Sequence, residues 1–84
     1  MQIRVRLFAI LRDRAGLDQM TLDLETGSDV SLALEQIAQI EPEIRELLSR
    51  TAMAVNREYV KPDHVLTDGD ELALIPPVSG GCDE

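Results

Sequence analysis

Two consecutive prolines, Pro76 and Pro77, mark where packed structure in this chain has to stop. Neither carries a backbone N–H and both hold φ near −65°, so a strand cannot continue through them. The run just before them, Glu71-Leu72-Ala73-Leu74-Ile75, is apolar and strand-like. The run just after them, Val78-Ser79-Gly80-Gly81-Cys82-Asp83-Glu84, has too few apolar side chains to pack. The chain therefore divides into a folded domain over 1–75 and a tail over 76–84. Prolines favour an extended exit, and two small residues at Gly80 and Gly81 let a backbone pass a narrow slot. Such an end suits work inside a partner's active site; a frayed terminus is the plainer reading.

Within 84 residues only one core can form, burying roughly 60–65% of the surface the unfolded chain would expose. Ile3, Val5, Leu7 and Ala9 alternate with Arg4, Arg6 and Phe8, which predicts a first strand. Leu11 to Arg14 leaves room for one helical turn ending at Gly16. Met20, Leu22 and Leu24 alternate with Thr21 and Asp23, a second strand close enough to pair antiparallel with the first. Ser28 or Asp29 can cap a helix whose stripe is Val30, Ala33, Leu34, Ile37 and Ala38. Pro42 ends that helix and opens a second short one carrying Ile44, Leu47 and Leu48. Ala52-Met53-Ala54-Val55 reads as a strand covered on both faces. Asn56-Arg57-Glu58 is a tight turn after it. Lys61-Pro62-Asp63-His64 is a surface loop, and Thr67-Asp68-Gly69-Asp70 turns into the last strand. Should the first and last strands pair, they run parallel at the centre of the sheet.

Charge and residue types narrow the chemistry. Sixteen acidic residues against eight basic ones give a net charge of −8, which argues against nucleic acid or an anionic membrane surface as partner. No apolar run approaches a membrane span. One cysteine, Cys82, and one histidine, His64, rule out a disulfide framework and a multi-histidine or cysteine metal site. Glu41, Glu43 and Glu46 straddle a helix start, where the macrodipole favours carboxylates, so a metal site is not expected. His64 beside Asp63 reads as a solvated loop residue. With no secretory signal pattern at Met1-Gln2-Ile3-Arg4-Val5, the chain is expected in the cytoplasm.

Three stretches carry a resemblance. Phe8 to Gly16, Ala54 to Val60, and above all Leu66-Thr67-Asp68-Gly69-Asp70-Glu71 through Pro76-Pro77-Val78-Ser79-Gly80-Gly81 resemble the small subunit of molybdopterin synthase, within the MoaD and ThiS-like sulfur carriers. The resemblance implies an α+β, ubiquitin-like β-grasp fold, a mixed sheet of about four to five strands with one main helix across it. It implies that Gly81 is adenylated by an E1-like enzyme using ATP, then thiocarboxylated, with Gly80 passing the slot beside it. The carrier itself would bind no cofactor, and its sulfur would go to cyclic pyranopterin monophosphate inside the large synthase subunit. The same family uses such carriers for thiamine, cysteine or thiocarboxylate metabolites, and its ubiquitin-like relatives modify proteins. A binding module with a frayed tail is the remaining alternative.

The sequence departs from the family by continuing past Gly81 with Cys82-Asp83-Glu84. In that form Gly81 has a peptide carbonyl and no carboxylate to adenylate, so a peptidase is expected to cut after Gly81. The acidic neighbours of Cys82 disfavour its thiolate, and with it direct sulfur carriage by the thiol. Partner contacts are expected from the sheet face, from Phe8, and from Pro76, Pro77, Val78 and Ser79. The arginines Arg4, Arg6, Arg12 and Arg14 form either a docking ridge or a solvated face.

Overall fold

The computed structural model describes residues 1–77. Its elements are β1 (Gln2–Leu7), α1 (Ala9–Ala15), β2 (Gln19–Asp23), α2 (Val30–Ile40), a 3-10 turn (Pro42–Ile44), α3 (Arg45–Leu48), β3 (Ala52–Val55), β4 (Glu58–Tyr59) and β5 (Glu71–Ile75). The five strands form one mixed sheet in the order β2-β1-β5-β3-β4. β1 runs antiparallel to β2 and parallel to β5, while β3 runs antiparallel to both β5 and β4. The last strand is thus the central one, as the first-to-last pairing requires. The fold is α+β, a β-grasp with α2 as its main helix.

Each β1 residue obeys the two-residue period: Ile3, Val5 and Leu7 are buried while Gln2, Arg4 and Arg6 are exposed. The buried set packs with Leu72 and Leu74 of β5, Val30, Ala33 and Ile37 of α2, and Ile44, Leu48 and Leu11 from the shorter helices. Helices therefore cover one face of the sheet, and the fifteen apolar residues of the core cluster lie between. Asp29 caps α2 as its sequence position suggests. Its carboxylate accepts from the Ser31 hydroxyl at 2.7 Å and the Leu32 N–H at 3.0 Å. Those two hydrogen bonds, the Ser31 one foremost, hold its pKa below the usual 3.8. The Val30 and Ser31 N–H groups, also without partners inside the helix, donate to the His64 and Pro62 carbonyls at 2.9 Å. The 61–64 loop is thereby fastened to the start of α2.

Three expectations change. Ala9 is not in the first strand, because pairing stops at Leu7 and Ala9 turns the chain with φ 52. α1 has seven residues instead of one turn. Ala9 and Ile10 join its good helix formers, and Gly16 closes it with φ 78, a conformation costly for any residue with a Cβ. Nor is β3 covered on both faces along its whole length. Met53 and Val55 face the core side and Ala54 is buried on the other, but Ala52 is exposed; alanine is small enough to tolerate an uncovered face.

The Asp68-Gly69-Asp70-Glu71 stretch acts as a fastening. The Asp68 carboxylate accepts from the Gln2 N–H at 2.7 Å and the Gly69 N–H donates to the Gln2 carbonyl at 2.9 Å. Asp70 accepts from the Thr67 N–H at 2.8 Å and from the Asn56 side-chain amide at 2.9 Å. The Glu71 N–H donates to the Asn56 side-chain oxygen at 3.1 Å. One turn thus ties the start of β1, the β3–β4 loop and the start of β5. Asn56 and Arg57 form that two-residue loop with φ 51 and 73, the left-handed pair that a tight hairpin of this hand requires.

Candidate functional site

The face of the sheet turned away from the helices is where the register brings side chains together. Gln19 lies opposite Arg6, Arg6 beside Ala73, Ala73 opposite Ala54, and Ala54 opposite Tyr59. One row therefore crosses all five strands with two alanines in the middle. In the adjoining row Ile75 lies opposite Ala52. Small residues on β5 and β3 between larger ones on either side make a trough of about 480 Å³, lined by Arg6, Phe8, Ala54, Arg57, Tyr59 and Ala73, with Glu71 and Ile75 at its two ends along β5.

Its walls combine apolar surface with charge. Phe8 stands at the N-cap of α1, in extended backbone and partly exposed, outside the buried core. The Arg6 guanidinium lies 5.3 Å from the centre of its ring and 3.6 Å from the Glu71 carboxylate. That guanidinium therefore links the start of β5 to the Phe8 wall. The opposite wall is Tyr59, 74% exposed on the edge strand β4. A buried aromatic needs no such exposure; an aromatic held out beside an apolar floor suits recognition. Arg57 forms no ion pair among the described residues.

Ile75, at the trough's far end, is the last strand residue; Pro76 after it is buried and Pro77 exposed. Val78, Ser79, Gly80 and Gly81, together with Cys82-Asp83-Glu84, lie outside the described residues. Of the expected contact residues the structure thus places Phe8 in the trough and Pro76 and Pro77 at its exit. Arg4 and Arg6 share the outer face, whereas Arg12 and Arg14 sit in the last turn of α1, Arg12 3.8 Å from Asp13. The four arginines come from two separate elements. His64 is an exposed loop residue whose N–H donates to the Lys61 carbonyl at 3.0 Å. Among the described residues no three His, Cys, Asp or Glu side chains gather to hold a metal ion. None of the helices there is long and apolar enough to cross a membrane.

Ala54, Arg57, Tyr59 and Ala73 are site residues that sequence reasoning missed. The available signal was the alternation of alanines in β3 with Ala73 in β5, which puts small side chains on one face. Nothing local says that the two strands are neighbours.

Comparison with known proteins covers nearly the whole chain. The ThiS family model matches residues 5–81, ending on the second glycine of the tail. The molybdopterin synthase sulfur carrier subunit of Chlamydomonas reinhardtii is 41% identical over 83 residues, 96% of this chain and 100% of that one. The crystal structure of small archaeal modifier protein 1 from Haloferax volcanii superposes with a TM-score of 0.90 at 28% identity, covering 96% of this chain and 100% of that chain. A chain in the complex of subunits 1 and 2 of the molybdopterin-converting factor from Helicobacter pylori matches at 28% identity with a TM-score of 0.70, over 96% of this chain and 100% of that one. Matched from within β1 through the central strand to Gly81, this ubiquitin-like β-grasp chain belongs to the ThiS family.

Proposed function

We propose that this protein is the sulfur carrier subunit of a molybdopterin synthase, with Gly81 as the atom-bearing end. The observation that carries the reading is the full-length likeness to the Chlamydomonas carrier subunit, joined to a family match that stops at Gly81. Cys82-Asp83-Glu84 lie beyond it, in keeping with removal by a peptidase before use.

The chemistry assigns little to the carrier itself. A carboxylate is a poor electrophile, so an E1-like enzyme first spends ATP to join Gly81 to AMP and release pyrophosphate. A sulfur nucleophile then displaces AMP, leaving a thiocarboxylate whose sulfur is the donor. What this chain supplies is reach, fit and absence of obstruction. Counted from Ile75, Gly81 lies at most about 20 Å from the end of β5. Pro76 and Pro77 stiffen the first part of that span, and Gly80 and Gly81 offer no side chain to block a narrow channel. Val78 and Ser79 would contact the channel mouth. The trough runs along β5 toward the same exit, so one partner, the large synthase subunit, can cover Phe8, Ala73 and Tyr59 while it takes in the tail. The likeness to a subunit seen in a two-subunit complex supports that arrangement. We place this work in the cytoplasm, in keeping with a chain whose single cysteine allows no internal disulfide.

A second reading has its own observation. The likeness to small archaeal modifier protein 1 fits an activated Gly81 passed to amines of other proteins. Carriers for thiamine, cysteine or thiocarboxylate metabolites use the same end. The intact mass of the untagged protein from its own cells tests the main reading. Expected is a species ending at Gly81, a fraction of it carrying the oxygen-to-sulfur increment. A population in which Gly81 is never exposed, under growth conditions that demand the cofactor, would sink the proposal.

A further inference from the structure

Lys61 is the one lysine in the sequence; the other seven of its eight lysine and arginine residues are arginines. The distinction is chemical. A guanidinium stays protonated throughout the working pH range and has no free electron pair, whereas a lysine ammonium yields a nucleophilic amine in its neutral fraction. The arginines Arg4, Arg6 and Arg57 on and beside the docking face are therefore inert toward an activated acyl group, and a single side-chain amine is not.

The structure presents that amine well. Lys61 is exposed and forms no ion pair among the described residues. Its backbone is held: the Lys61 carbonyl accepts from the His64 N–H at 3.0 Å, closing a turn with Pro62 inside it. The Pro62 and His64 carbonyls are in turn fixed to the start of α2 at 2.9 Å. Lys61 does not line the trough. The α-amino group of Met1, by contrast, is engaged, donating to the Leu24 carbonyl at 2.7 Å in a partly buried setting.

We propose that Lys61 is a modification site, the acceptor for Gly81 of a second copy of this chain. The inference rests on Gly81 being activated as described above. The donor is chemically this same protein, so one lysine defines one homotypic linkage. The neutral amine of Lys61 attacks the Gly81 carbonyl carbon of the acyl adenylate. A C–N bond forms, the C–O bond to phosphate breaks, AMP leaves with the electron pair, and the nitrogen loses its proton to water. The ATP consumed in making the adenylate is the only co-reactant, and no electron is transferred.

The test uses protein ending at Gly81, converted to a thioester of a small thiol and mixed with the full chain ending at Glu84. Expected is a two-chain adduct whose branched peptide, by tandem mass spectrometry, joins Gly81 to Lys61. It should form faster than the adduct with an equal concentration of Nα-acetyllysine, and Lys61→Arg should abolish it without changing thermal unfolding. A branch at Met1 or at a hydroxyl or thiol, a rate no faster than the free amino acid, or no adduct at all overturns the assignment. Hydroxylamine added with ATP to protein ending at Gly81 in an extract of its own cells separates the two readings. A hydroxamate at Gly81 shows that the end is activated there, so the failure belongs to Lys61; without it, activation of Gly81 itself falls.

Discussion

The two faces of β5 do different work with five residues. Leu72 and Leu74 are fully buried against α2, β1 and the short helices, whereas Glu71, Ala73 and Ile75 run along the trough. The inner face holds the domain together and the outer face presents it. Because side chains alternate along a strand, adjacent substitutions should separate stability from recognition. β5 has a strand on either side, β1 and β3, so neighbouring residues extend both of its faces.

The sharpest break of that contrast is Leu74→Ala. It should cost about 2–5 kcal/mol through lost burial and a cavity, a large part of the roughly 4–13 kcal/mol expected of a domain this size. Denaturant unfolding monitored by circular dichroism checks it, and a loss similar to that of an outer-face residue would contradict the assignment of faces. One position away, Ala73→Arg should leave unfolding within about 0.5 kcal/mol. It should weaken binding to the large synthase subunit proposed above by about 2 kcal/mol by filling the trough floor, measurable by calorimetric titration. Phe8→Ala should follow the outer-face pattern with a smaller effect. A loss of binding of about 1–2 kcal/mol is expected, with a stability change of about 0.5–1 kcal/mol from the Arg6 contact over the ring. A stability loss of about 3–5 kcal/mol would instead make Phe8 a core residue.

Arg57→Gly sharpens the comparison from the side of strain. Arg57 has φ 73, so glycine should raise stability by about 0.5–1 kcal/mol. If its guanidinium meets the partner, binding falls in the same variant. The smallest effect is expected at Asp29. Its pKa is lowered in the folded protein, so its contribution is complete at pH above the unfolded value. It disappears as pH falls through the folded one. The melting temperature of Asp29→Ala should thus lie below the native protein's at pH 7, and the gap should close in strong acid. A gap independent of pH would mean that the carboxylate's ionisation plays no part in the cap.

Much of this organisation was legible in the chain. Alternation at Ile3, Val5 and Leu7 and at Met20, Leu22 and Leu24 gave strands and their buried sides. Asp29 and Gly16 announced the ends of helices because cap chemistry is local. The length of α1 was less legible, since whether Ala9 extends a strand or starts a helix depends on where β5 stops offering hydrogen bonds. Asn56 before Arg57 could have suggested the left-handed hairpin loop. Its amide's bonds to Asp70 and Glu71 could not have been seen, as they join residues far apart in sequence.

By itself the sequence determined which residues seek burial, that the last strand ends before Pro76 and Pro77, and that Gly81 is followed by further residues. These are properties of single residues and of short-range periods. Only the tertiary structure decided that Arg6, Ala73, Ala54 and Tyr59 share one row, because that depends on strand order and register. A period of two assigns each residue to a face but leaves open which strand stands beside it. The trough exists because β5, last in the chain, is inserted between β1 and β3 in space.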